Sequence, residues 1–265
     1  MMSFWGKMRR TLALLIKMNI LKTVYVNYKM LPIRQAIHLP ILLFGKVVLH
    51  CLSGRIIIDA PITFGMIKIG YRWHDLFPLS YLPTQLYVSG TLSFKGSCTI
   101  SGGVGLFIQN RAAKMAIGNN STIGGGTLVK SVYSLSIGNY TRITSNCTIM
   151  DSNMHYVKDI ESGFIAKAWG KIEIGNYCWI NQGSTITKGT VIPDFSIVAR
   201  GSYLNKDYSL KGPNAFIVGC PAIIKNNKLQ RIFNTIKEEE LSRFFRANID
   251  SLSYDDGQGL FNESL

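Results

Sequence analysis

From Ile174 onward an aliphatic side chain returns every sixth residue, at Ile174, Ile180, Ile186, Ile192, Val198 and Leu204. A helix repeats its apolar face about every 3.6 residues and a half-buried strand every second one, so neither produces a strict six. A short fixed period marks a solenoid, in which each repeat buries its apolar side chain against the same position of its neighbours. Four positions after an aliphatic stand Cys178, Ser184, Thr190, Ser196 and Ser202, all small enough for a tight corner. Turns between the short strands are expected at Gly175-Asn176, Asn181 and Asp194, residue types that tolerate positive φ.

The beat recurs upstream at Ile137, Ile143 and Ile149, at Ile117, Ile123 and Val129, and more loosely at Val88, Phe94, Ile100 and Leu106. Three hexads close one triangular coil, which predicts about five or six coils stacked by parallel strand pairing. Cys98, Cys147 and Cys178 take the small position and are expected to be buried packing residues, not reactive thiols. The beat leaves the hand of the coil open, and the general preference for parallel crossovers is right-handed.

The beat fails once. After Ile149 the next aliphatic is due at position 155, which holds His155, and the register resumes only at Ile174, beyond YVKDIESGFIAKAWG. A histidine at the root of a loop leaving the coil sits where solvent, loop and a neighbouring subunit meet, and imidazole suits proton transfer near neutral pH. Asp151 and Asn153 precede it, and both residue types also form turns, so a structural and a chemical role stay open for each.

Composition narrows the setting. With 265 residues and 47% hydrophobic content, the chain holds one large domain or a domain with extensions. The formal net charge of +14 is uneven, since nine lysines and arginines precede the first acidic residue, Asp59. The opening FWGKMRRTLALLIKMNILKTVYV mixes Phe4, Trp5, Leu12, Leu15, Ile16 and Ile20 with cations, the composition of an interfacial helix drawn to anionic lipid. An ordinary amphipathic helix packed on its own domain fits the same residues. Peripheral contact with an anionic membrane is therefore expected through residues 1–34.

TLALLI is broken by Lys17 and is far short of the roughly 18 apolar residues of a span. No A-x-A cleavage signal follows, and the five cysteines are odd in number without a C-x-x-C pair. These features predict a cytoplasmic protein, at most peripheral to the inner face of the cytoplasmic membrane. Nucleic-acid modules interleave aromatics on a basic face, and with no such pattern here no nucleic-acid partner is expected. The organisation reads as a basic amphipathic segment over 1–24, the repeat domain over 25–226, and a C-terminal helix and tail over 227–265. LQRIFNTIKEEELSRFFRANI, within that last part, is expected to cap the final coil.

IGNYCWINQGSTITKGTVIPDFSIVARGSYLNKD, residues 174–207, followed by VGCPAIIK, residues 218–225, resembles the hexapeptide-repeat acyltransferases. The likeness rests on I-G-N-x-x-W-I, the even beat, the closing K-D and the G-x-P-A exit. YKMLPIRQAIHLPILLFGKVVLHCLSGRIIIDAPITFGMIKIG also resembles a leader in acyltransferases of bacterial surface-polysaccharide loci, extending the likeness from about Tyr25 to Lys225. The resemblance implies an all-β solenoid: a left-handed parallel β-helix with a helical N-terminal extension and a C-terminal helix. It further implies a homotrimeric acetyl-CoA-dependent O-acetyltransferase, acting on a sugar hydroxyl of a surface polysaccharide or its lipid-linked precursor.

The family's D-x-D/N-x-H motif falls on Asp151-Ser152-Asn153-Met154-His155. It makes His155 the general base, Asp151 the residue that orients the imidazole or raises its basicity, and Asn153, where many relatives carry Asp, a contact to the glycan acceptor. The pantetheine arm of CoA would run along corner amides at Asn181, Gln182 and Gly183 and at Ala199, Arg200 and Gly201, flanked by Trp179. Gln182 is bulkier than the residue many relatives have there. Arg200, Lys206 and Lys225 would partner the CoA phosphates.

No metal is expected. A γ-class carbonic anhydrase shares the coil but needs three histidine ligands, and His38, His50 and His74 all precede the clear repeat. N-acetylation of an amino sugar would use the same base and groove. Serine O-acetylation ranks lower, because such enzymes carry a helical domain where this chain has the strand-like RIIIDAPITFGMIKIG. An inert β-helix scaffold or binding module is the non-enzymatic alternative.

Overall fold

The structure, a computed structural model, describes residues 17–72, 82–251, 253 and 254. The sequence expectations resting on Phe4, Trp5, Leu12, Leu15, Ile16 and His74 lie outside those residues. Backbone contacts divide the chain into two units, 1–229 and 230–265. No helix among the described residues is long and apolar enough to cross a membrane.

In the first unit short strands stack into three sheets, the flat faces of a three-sided coil. The first face is 9-stranded among the described residues, from Ile41–Leu43 through Arg142–Ile143, Trp179–Ile180 and Ile197–Val198 to Phe216–Gly219, closed by antiparallel Ala222–Asn226. The second is 7-stranded, from Val47–Leu52 through Leu128–Ser131, Thr148–Met150 and Thr185–Thr187 to Tyr203–Leu204. The third is 6-stranded, from Arg55–Ile58 through Ser134–Ile137 and Ile172–Ile174 to Val191–Ile192.

The register is the six-residue beat made solid. Ile123, Ile143, Ile180 and Val198 lie in line on the first face. Val129, Ile149, Ile186 and Leu204 line the second, and Ile117, Ile137, Ile174 and Ile192 the third. All are buried, and each aliphatic taken from water is worth about 1.5–3 kcal/mol. Cys178, Ser184, Thr190, Ser196 and Ser202 fill the corners as expected, with hydroxyls such as Ser184 Oγ donating to the corner carbonyl of Asn181, 2.7 Å away.

Two features depart from what the six-residue beat and the turn residues alone indicate. The coil begins at Ile41, earlier than the beat shows, because long connections such as 59–66 separate its first strands and scramble the spacing of inward residues. The left-handed turns at one corner fall on Tyr140, Tyr177 and Phe195, with φ of 56°, 54° and 60°, one place after the expected Asn or Asp. Those polar side chains do something else: Asn139, Asn176 and Asp194 each accept the backbone N–H of the residue stacked on the previous coil, at 2.8 Å. The aromatic rings that follow stack nearly parallel at 4.8 and 5.0 Å. Ring stacking worth about 0.5–1.5 kcal/mol offsets much of the roughly 1–2 kcal/mol that a side chain costs in this conformation.

Coils approach so closely at this corner that a Cβ on Gly138 would lie 2.4 Å from the Gly175 carbonyl carbon. Gly138→Ala is expected to destabilise the chain by about 1–3 kcal/mol, the range of overpacked sites, read as a lower midpoint in urea unfolding.

The second unit contains helix Thr235–Ala247, capped by Asn234, whose side chain accepts from Ile236 N and Lys237 N. Lys237–Glu240 and Arg243–Glu239 pairs line it, and Phe244 packs edge-on against Tyr254 with ring centroids 4.9 Å apart.

Candidate active site

The core slot due at position 155 is filled by Ile172, which pairs with Leu135 on the third face and is fully buried. Between Met150 and Ile172 the chain leaves the coil at the corner joining the second and third faces, and it returns to the same place. Asn153 N donates to Ala168 O and Gly170 N to Asp151 O, both at 2.9 Å, while Ser152 bridges Trp169. This clamp makes a neck. Beyond it runs an arm with a two-residue hairpin, Val157–Lys158 against Ile165–Ala166. Its tip is closed by Asp159, which accepts from Glu161 N, Ser162 N and Ser162 Oγ; those bonds hold its carboxyl below the ordinary aspartate range.

His155 stands where neck becomes arm. Ser152, buried, accepts the Met154 N–H on its hydroxyl at 2.9 Å, and Met154 takes φ of 65°. That reversal delivers His155 to solvent, exposed, with no hydrogen bond from its imidazole among the described residues. Asn153 is exposed beside it.

Asp151 has partners other than the imidazole that the motif implies. It is fully buried, and its carboxylate accepts from Ser131 Oγ at 2.6 Å, Val132 N at 2.8 Å and Tyr133 N at 3.0 Å. A bond to the His155 imidazole is not among them. The carboxylate instead fastens the neck to the same corner of the previous coil, whose N–H groups would otherwise lack partners.

Around the neck gather side chains that sequence reasoning passed over. Lys167 holds its ammonium 5.1 Å above the Tyr133 ring and 5.3 Å above Trp169. Tyr156 meets Trp169 edge-on at 6.1 Å, and Lys188 Nζ donates to the Lys167 carbonyl. The result is a group of aromatic rings with a cation over two of them, at the neck from which His155 projects. Tyr156 and Trp169 bracket the stretch that breaks the beat, and that position is the signal that would have singled them out.

The other candidate residues occupy different places. Asn181–Gly183 and Ala199–Gly201 lie at the corner joining the first and second faces. Asn181 N, Gly183 N, Ala199 N and Gly201 N all donate to neighbouring coils. Only the middle amides, Gln182 and Arg200, make no such bond among the described residues, so these two are the donors open to a ligand. Trp179 is half-buried on the first face, in register with Arg142 and Ile197. Lys206 is not beside these amides: it follows Tyr203–Leu204 at the His155 corner, its ammonium 5.6 Å above the buried Tyr208 ring. Lys225 is exposed on the terminal antiparallel strand. Within one chain, then, the neck that carries His155 and the open amides sit at opposite margins of the second face, whose corners are about 16 Å apart by the rise of a five-residue run.

Cys98, Cys147 and Cys178 are buried, and burial pushes the Cys98 and Cys178 thiols up to about 12. Thiolate chemistry at these positions is thereby suppressed. Among the described residues no group of three or more His, Cys, Asp or Glu is placed to hold a metal ion.

No family model and no curated protein matches the chain. Among solved structures, the polySia specific acetyltransferase NeuO is similar over 81% of this chain and 90% of its own, with a TM-score of 0.53 and 18% identity. The chain shares the fold of NeuO. Its coil is a left-handed parallel β-helix. The polysialic acid O-acetyltransferase OatWY is similar over 75% of this chain and 97% of its own, with a TM-score of 0.39 and 18% identity. AntD, an N-acyltransferase from Bacillus cereus solved with dTDP and 3-hydroxybutyryl-CoA, is similar over 80% and 89%, with a TM-score of 0.35 and 15% identity.

Proposed function

We propose that the protein transfers an acetyl group from acetyl-CoA to a sugar hydroxyl of a surface polysaccharide or its lipid-linked precursor, with His155 as the general base. The observation that carries this reading is the neck: a buried Asp151 anchor and a Ser152-capped reversal that together project an exposed imidazole from an otherwise closed coil. NeuO, which shares the fold, is an acetyltransferase specific for a sugar polymer.

In the proposed reaction the acceptor oxygen attacks the thioester carbonyl carbon while His155 takes its proton. The C–O ester bond forms, the C–S bond breaks, and the proton passes to the departing thiolate to give free CoA. Tyr133, Tyr156 and Trp169 offer ring edges and faces to the acceptor sugar, with Asn153 as a hydrogen-bonding partner. The N–H groups of Gln182 and Arg200, with Trp179 beside them, line the donor, and Arg200 and Lys225 supply positive charge toward its phosphates.

Because base and open amides stand at opposite margins of one face, a complete site needs the amide corner of a second copy beside His155. This supports the homotrimer. So does the arm, whose Ile160 is 92% exposed and whose Val157, Phe164 and Ile165 are exposed with it, an apolar surface suited to a neighbouring copy.

The test is mass spectrometry of the producing cell's surface glycan with and without this gene. Loss of an O-acetyl group from one sugar position is the expected result; an identical glycan rules the proposal out.

A further inference from the structure

The helix Ile20–Met30 is built inside out. Its buried side carries Thr23, Val26, Asn27 and Met30, and the two polar members bond to the strand Ile41–Leu43. Thr23 Oγ1 accepts Leu43 N at 3.0 Å, Asn27 Oδ1 accepts Ile41 N at 3.2 Å, and Asn27 Nδ2 donates to Ile41 O at 2.7 Å. Asn19 N adds a bond to Leu43 O at 2.7 Å. That strand is the outermost of the first face, paired on its other side with Ile67–Ile69. The helix thus replaces the missing neighbour strand, covering the open end of the coil.

The opposite side is apolar and faces outward. Leu21 is 84% exposed, and Ile20, Val24, Tyr25 and Tyr28 are exposed with it; Ile33 and Ile37, just beyond, are 62% and 57% exposed. Lys17, Lys29 and Arg34 are exposed around this patch, and no acidic residue occurs before Asp59, which is itself paired with Lys95 at 2.6 Å. Exposed aliphatics, two tyrosines and unopposed cations match an anionic lipid surface, where apolar burial and charge attraction act together. A protein partner of ordinary composition would leave those cations without a systematic counterpart.

We infer that the end of the coil docks on an anionic membrane through this outward face, and that the docking fixes the height of the active site. The helix lies across the coil's end, so its outer face looks along the coil axis. His155 follows the fifth strand of the second face, Thr148–Met150. Four inter-strand rises of about 4.8 Å and a helix diameter of about 10 Å place it roughly 30 Å from the lipid. Resting on the transferase reading, this assigns the acceptor as an outlying sugar of a lipid-anchored glycan chain, not the sugar next to the lipid.

The docking is testable without any acyl substrate. The full chain should co-sediment with phosphatidylcholine vesicles containing phosphatidylglycerol, at least tenfold more than with phosphatidylcholine alone, and less at high salt. The Leu21→Glu/Ile33→Glu/Ile37→Glu variant should lose that binding at an unchanged melting temperature. A fluorophore on Leu21→Cys should be quenched by brominated lipid, and one on Ile160→Cys should not. The inference is overturned if the wild type does not bind, if the variant binds equally, or if Ile160→Cys is quenched. It is overturned too if light scattering shows the glutamates dissolving a larger assembly, which would make the face a contact between copies. Normal docking without acetyl transfer would instead sink the enzymatic reading alone.

Discussion

His155→Ala is expected to cut acetyl transfer by about 10²–10⁴, the usual worth of a positioned general base, while leaving the fold untouched. The imidazole is exposed, fills no core slot and makes no hydrogen bond among the described residues. Its loss therefore belongs with surface substitutions, which change stability by about 0.5 kcal/mol or less. The slot that the repeat would have given it is held by Ile172. Turnover with acetyl-CoA, a thermal melt and calorimetric CoA binding separate the cases. Lost turnover with melting and binding unchanged supports the base; near-normal turnover removes it.

Asp151 should behave in the opposite way. Asp151→Ala takes the acceptor from Val132 N and Tyr133 N and leaves Ser131 Oγ without its partner. A buried donor left unmatched costs about 1–3 kcal/mol, so the two backbone N–H groups alone imply a loss of about 2–6 kcal/mol, out of the roughly 5–15 kcal/mol that holds a typical domain. Asp151→Asn keeps one acceptor oxygen and should lose about half as much. Turnover falls in both because the neck that aims His155 loosens. If Asp151 served only to orient the imidazole, Asp151→Asn would keep its melting temperature and lose rate alone, and in a His155→Ala background it would lower the rate no further.

Much of the coil was legible because its signal is strictly local in period. Every beat from Ile174 to Leu204 points inward, and the small residues four places later are buried as the spacing requires. The first coils were not legible, since their long connections destroy the count that reveals the rest. Turn chemistry was misplaced by one residue, because the Asn and Asp side chains serve the coil before them and pass the strained conformation to an aromatic neighbour.

The site divides along the same line. His155 was singled out by the broken register, a property of adjacent residues. The partners of Asp151 stand one coil back in space, at Ser131–Tyr133, and no spacing rule connects two stretches that share a corner only after the chain has wound around the axis. Lys206 was grouped with Arg200 as a cation for the CoA phosphates, yet a single strand carries it to the next corner. At the N-terminal helix the composition was readable and the orientation was not, because its inward face answers to the open hydrogen bonds of an edge strand.

The clamp at the neck has one more consequence. The arm departs and re-enters through residues bonded directly to each other, and Ile172 restores the core as though nothing had been inserted. A change in the arm's length or chemistry therefore leaves the packing of the coil untouched, which makes this corner an exchangeable fitting on a standard column.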